Sequence, residues 1–193
     1  SLKAALPVPE APEGKIFAGW QDMGTKLIAA FRDKTDEGSG EYYVQFGADG
    51  DGSSPETPAG ALVNVINDIN TKYGAGDNVV IYVMTSEGEP TDNKWDSADD
   101  SVWLQYNGIA SHTAKITYTS YDVADIASIA FENVWAESCV GNHLFIKGPT
   151  VFENIRIIDN RSDGATRDIY AQGYDLEFRN VSIVKVPKSK GYE

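Results

Sequence analysis

Residues 150–160 read TVFENIRIIDN and residues 175–185 read DLEFRNVSIVK. Both contain Phe-x-Asn followed by an Ile/Val-x-Ile run, and Asn154 and Asn180 stand 26 positions apart. FENVWA at 131–136 carries the first half of the same phrase, and HLFIKG at 143–148 aligns with DIYAQG at 168–173 at an interval of 25. Self-similarity at this period marks a stacked array, in which each unit buries its apolar residues against its neighbours. The units are β-type. Ile155 and Ile157, like Val181 and Ile183, fall on one side of a strand, with Arg156 and Ser182 on the other.

Matched asparagines in matched surroundings invite an active-site interpretation, but corner chemistry explains them better. Asn tolerates the left-handed backbone of a sharp turn, and its amide can bond the same amide one coil away. Phe152, Asn154, Phe178 and Asn180 are therefore expected to form a structural ladder. In the strand before it, Leu144 over Ile169 and Ile146 over Ala171 would fill the inner face, leaving Phe145 and Tyr170 pointing outward. The competing explanation is two look-alike hairpins of an ordinary sandwich.

Upstream of the repeat the chain has a different habit. YYVQF reads as a strand, and Thr57–Pro58 reads as an N-cap followed by proline at the first helical position. Leu62, Val65, Ile66, Ile69 and Tyr73 share one helical face, and Gly74 and Gly76 stop the helix. NVVIYVM is a strand with both faces apolar. Residues 1–40 form a separate piece. Ile16–Phe17 and Leu27–Ile28 predict two short strands around QDMGTK, followed by the polar linker RDKTDEGSGE. The expected organisation is a partial β-repeat module and linker over 1–40, then a mostly β unit over 41–193.

Composition narrows the function classes. With 193 residues and a net charge of −13, the chain lacks the basic face that nucleic acid demands. The one basic cluster, Arg179, Lys185, Lys188 and Lys190, is too sparse for a groove. No apolar run approaches the 18 or so residues of a membrane span, so membrane insertion is not expected. Cys139 is the sole cysteine, which rules out an internal disulfide and fits a buried structural thiol. The opening SLKAALPVPEAPEG has no signal-peptide character and looks like a start within a longer protein.

The strand–turn–helix–strand opening, YYVQFGADGDGSSPETPAGALVNVINDIN and GDNVVIYVM, is similar to the N-terminal end of pectate-lyase-like right-handed parallel β-helices. AKITYTSYD and GPTVFENIRI resemble the large repetitive surface proteins of gut-dwelling Gram-positive bacteria. APEGKIFAGWQDMGTKL, with Phe17, Gly19 and Trp20, resembles the Listeria–Bacteroides repeat of cell-surface proteins. The resemblance implies a mostly β fold, a right-handed parallel β-helix with an N-terminal capping helix, on a secreted or wall-attached protein. It also implies work on carbohydrate, as a lyase, a glycosidase or an adhesin.

The residues favour the adhesin or scaffold. Lyases of this type use several acids on one strand face with a basic proton acceptor, and glycosidases need two carboxylates set across the sugar. Asp159, Asp163, Asp168 and Asp175 sit in or beside loops and read as turn residues. No catalytic residue is assigned. The alternative is the N-terminal part of a β-helical lyase or glycoside hydrolase. For ligands, Trp95 and Trp103 in the acidic loop DNKWDSADDSVW, and Phe145 and Tyr170 on the strand face, are candidate sugar-binding aromatics. His143, beside Phe145, lacks companions for a metal site. Asp49, Asp51 and Ser53 in DGDGSS begin a calcium-loop pattern, with Glu56 as a further ligand, although the twelfth position falls at Gly60. A glycine-rich turn accounts for the same residues, and no other cofactor is implied. Finally, an array ending near VSIVKVPKSKGYE leaves an open coil end, which the 186–193 tail would cap or a second copy would stack upon.

Overall fold

The computed structural model describes residues 7, 9–22, 24–33, 39–89, 102–131, 144–159, 169–171 and 173–185. Trp95, Cys139, His143, Asp163, Asp168 and the tail 186–193 lie outside them. The described residues are mostly β, with eleven strands and one helix.

The first two strands, β1 (Lys15–Asp22) and β2 (Leu27–Asp33), form the antiparallel hairpin expected around QDMGTK. Their register slips between Phe17 and Gly19, as at a bulge. The Phe17 ring meets Trp20 and Phe31 edge-on, at 5.7 and 6.0 Å between centroids. The Phe-x-Gly-Trp residues thus build a small aromatic cluster of their own.

The remainder is organised by parallel pairing. One curled sheet contains β3 (Gly40–Gln45), β4 (Asn78–Met84), β5 (Leu104–Gln105), β6 (Lys115–Ser120), β7 (Ser128–Phe131), β9 (Thr150–Asp159) and β11 (Leu176–Lys185). A separate parallel pair joins β8 (Leu144–Phe145) to β10 (Ile169–Tyr170). The strand that decides the topology is β9. Its first half, 150–153, pairs with β6, and its second half, 156–159, pairs with β7. Between the halves stands Asn154, with φ 46°. β11 follows β9 in register along both halves and turns at Asn180, with φ 51°. These are the non-glycine residues with left-handed backbone among the described residues, as the corner argument requires.

Parallel strands covered on both sides need apolar runs, and NVVIYVM and NIRII supply them. Val79, Ile81, Ile116, Ile129, Phe152, Ile155 and Ile157 are all fully buried in one core. The helix α1 (Leu62–Lys72) adds Leu62, Val65, Ile66 and Ile69 to that core, the face its spacing predicts. Its start differs from the sequence expectation. The N-cap is Ala61, whose side chain makes no capping bond, and Thr57 and Pro58 lie in the turn before it. Thr57 is diverted because its hydroxyl donates to Asp51 Oδ1 (3.0 Å). Asp68 ties the helix to the sheet. Its Oδ2 accepts from Tyr42 Oη on β3 and from Lys72 Nζ, both at 2.6 Å. Those two bonds, Lys72's first, hold the Asp68 carboxyl below the usual range.

The two ends of the sheet differ. Backbone of the 50–59 turn closes the outer edge of β3, through Tyr43 N to Gly52 O, Ala59 N to Tyr43 O and Gln45 N to Ala59 O, at 2.8–2.9 Å. Gly60 packs so closely on the Ala48 carbonyl that a Cβ would overlap it. At the other end, β11 leaves Phe178 44% and Ile183 57% exposed.

Candidate functional site: an outward aromatic face

Period-two alternation places neighbours of buried residues on the outside, so the site is built from what alternates with Ile146. Ile146 is buried in the core, while Phe145 and Tyr170 are each 38% exposed. Because β8 and β10 pair in parallel, Tyr170 is the register partner of Phe145, and Ile169 of Leu144. The two outward rings meet edge to face, with centroids 5.5 Å apart and planes at 83°. Lys147, two residues on, holds its ammonium 5.7 Å from the Phe145 centroid, within cation–π range. Tyr174, 40% exposed, follows the turn that Gly173 makes possible with φ 78°. The Phe145–Tyr170 face therefore offers aromatic surface, a phenolic hydroxyl and a cation. It can pack on an apolar or sugar-like ring and bond its polar substituents.

The other candidates are placed differently. Trp103 is 1% exposed and packs with Ala130, Ile158, Val102 and Val184. The expectation that it presents a face to a sugar is thus corrected, because it covers the outer side of β7 and β9. Its partner in that expectation, Trp95, lies outside the described residues. Asp51 is the centre of a self-satisfied turn. Its Oδ1 accepts from the Ser53 hydroxyl (2.7 Å), the Ser53 N–H (2.9 Å) and the Thr57 hydroxyl. The Ser53 and Thr57 bonds hold its pKa down to about 2. Asp49, Asp51, Ser53 and Glu56 thus lie on the glycine-rich turn that buttresses β3, and among the described residues no group of three or more His, Cys, Asp or Glu could hold a metal ion.

Phe152, Asn154, Phe178 and Asn180 form the ladder expected of them. The Phe152 and Phe178 rings stack at 5.8 Å and 14°, and Tyr118 continues the stack below Phe152 at 5.3 Å and 18°. Asn180 Nδ2 donates to Asn154 Oδ1 at 2.8 Å. Beside the corner, the Ser120 hydroxyl donates to the Asn154 carbonyl (2.6 Å) and accepts from Ala127 N–H (2.9 Å).

Two clusters went unread in the sequence. Tyr43 and Tyr82 are register partners whose rings lie 5.2 Å apart, and Tyr121 packs edge-on to both. Both Tyr43 Oη and Tyr82 Oη donate to the Glu41 carboxylate at 3.2 Å. The signal was alternation with the inward Tyr42 and Val44, and it becomes meaningful only once the β3–β4 register is known. The second cluster surrounds Arg156, which is 6% exposed and has Nη1 3.5 Å from Ser128 Oγ. Glu89 accepts from Ser86 N–H nearby (3.2 Å), and burial pushes its carboxyl up against the opposing pull of Ser128, Ser86 and Arg156. This cluster anchors the 85–89 turn to the outer side of the sheet.

No protein-family model matches the chain, and neither does any curated protein or solved structure.

Proposed function

We propose that this chain is a non-catalytic adhesion or scaffold module of a secreted or wall-attached bacterial surface protein, and that it binds glycans on the Phe145–Tyr170 face. The finer architecture that goes with this proposal is a right-handed parallel β-helix with α1 as its N-terminal cap. The in-register β9 and β11 and the Asn154–Asn180 bond support a coiled stack.

One observation carries the function: two in-register aromatic rings stay more than a third exposed on the outside of a parallel strand pair. A pyranose presents C–H groups on one face, which pack on an aromatic ring, and hydroxyls at its rim, which bond polar neighbours. Repetition of the ring from strand to strand suits a polymer better than a single sugar.

A glycan array that includes mucin-type and plant polysaccharides tests the proposal. The expected result is binding that Phe145→Ala and Tyr170→Ala each weaken about tenfold, the loss of roughly one ring–sugar contact, with thermal stability little changed. No binding to any glycan, or hydrolysis or elimination of a polysaccharide by the chain, would overturn it.

A further inference from the structure

β11 pairs with β9 on one side, and among the described residues no strand pairs with its other side. Its 10 residues thus present an edge of backbone N–H and C=O groups ready to receive another strand. The opposite edge of the sheet is treated differently, because the 50–59 turn bonds along the outer side of β3. Copies of this chain therefore cannot add β11 onto β3 in an open series. An association through β11 has to be closed and symmetric.

The side chains of β11 fit a second copy of themselves. Pairing with β9 sets Leu176, Phe178, Val181 and Ile183 beside Thr150, Phe152, Ile155 and Ile157, on the core face. Glu177, Arg179, Ser182 and Val184 take the outer face. The left-handed corner at Asn180 breaks the alternation, so core-facing positions are even-numbered before it and odd-numbered after it. A two-fold axis between Asn180 and Val181 then lays two copies of β11 antiparallel, with every residue of the strand paired. Phe178 meets the partner's Ile183 on the core face, and Arg179 meets the partner's Ser182 on the outer face. An unbroken alternation would set core-facing residues against outward ones in that register. Phe178 and Ile183, 44% and 57% exposed, are the most exposed large apolar side chains among the described residues, and this pairing covers both. Neither Glu177 nor Arg179 faces a like charge, since Glu177 meets the partner's Val184.

We propose that two copies of this chain associate through β11, antiparallel about a two-fold axis beside Asn180. The dimer is independent of the glycan face. A single strand pair buries less than a standard interface, so the dissociation constant is about 10–100 µM and dilute chain is monomeric.

Sedimentation velocity should show monomer giving way to dimer across that range and nothing larger. Ile183→Lys puts a charge on an exposed position of the edge, so the fold is kept while the dissociation constant rises at least about tenfold. A monomer up to about 1 mM, growth beyond the dimer, or dimers that Ile183→Lys leaves intact would overturn the proposal. Cysteine pairing reads the register separately, in a Cys139→Ala background. Arg179→Cys and Ser182→Cys chains should form a disulfide on oxidation when mixed, and neither should do so alone, because like positions sit about 10 Å apart. Cross-linking of either variant alone, or none in the mixture at concentrations where dimer is present, would refute the antiparallel β11 pair.

Discussion

β9 and β11 carry the same phrase in different surroundings. Phe152 is fully buried while Phe178 is 44% exposed, and Ile157 is fully buried while Ile183 is 57% exposed. Neighbouring strands flank β9 on both sides, β6 and β7 on one and β11 on the other, whereas among the described residues β11 pairs with β9 alone. The lesson is that the repeat encodes position along a strand, and burial comes from having a paired strand on each side. Identical side chains should therefore have unequal energetic weight.

The sharpest way to break that comparison is to truncate the stacked rings. Phe152→Ala removes a fully buried aromatic and should cost about 3–5 kcal/mol in urea unfolding. Phe178→Ala removes a half-exposed one and should cost about 1–2 kcal/mol. Equal costs would mean that β11 is covered as completely as β9.

The corner separates in a similar way. Asn154→Ala forces an ordinary residue into left-handed backbone and deletes the amide bond, for about 2–3 kcal/mol together. Asn154→Gly keeps the backbone at ease and should cost roughly half as much. If the two variants are equally stable, the corner does not need its left-handed backbone.

A smaller contrast appears with pH. Burial lowers the pKa of His112 in the closed part of the core, partly opposed by its bond to Ala114 O. Its unfolded value is about 6.5, so the associated stability is fully present above that pH and is lost as pH falls below it toward the folded pKa. At the open end, Glu177 is held down chiefly by its bond to Arg179, but its side chain is exposed, so solvent screens that bond. Denaturation midpoints should fall between about pH 7 and pH 5, and Glu177→Gln should leave that slope intact. A flat profile across this window would show that His112 titrates normally.

Much of this architecture was legible in the residues. The ladder positions, the buried face of α1, the hairpin around QDMGTK and the outward Phe145 and Tyr170 follow from period and from the chemistry of Asn and Gly. What failed depended on contacts distant in the chain. Thr57 has the right neighbours for an N-cap, but Asp51 captures its hydroxyl first. Trp103 looks like a loop aromatic until β7 and β9 provide a surface for it to cover. The Tyr43–Tyr82–Tyr121 cluster and the Glu89–Arg156 anchor each join residues dozens of positions apart, and only the parallel register brings them together. The candidate glycan face was visible because its two residues hold the same position in successive repeats.

The central claim is that Asn154 and Asn180 are one structural device, the matched corners of the paired strands β9 and β11. A double-mutant cycle tests it directly, using Asn154→Gly and Asn180→Gly, singly and combined, in urea unfolding. The account predicts a coupling of about 0.5–1.5 kcal/mol, the worth of the amide–amide bond. Strictly additive losses would contradict it and would return the two asparagines to independent roles.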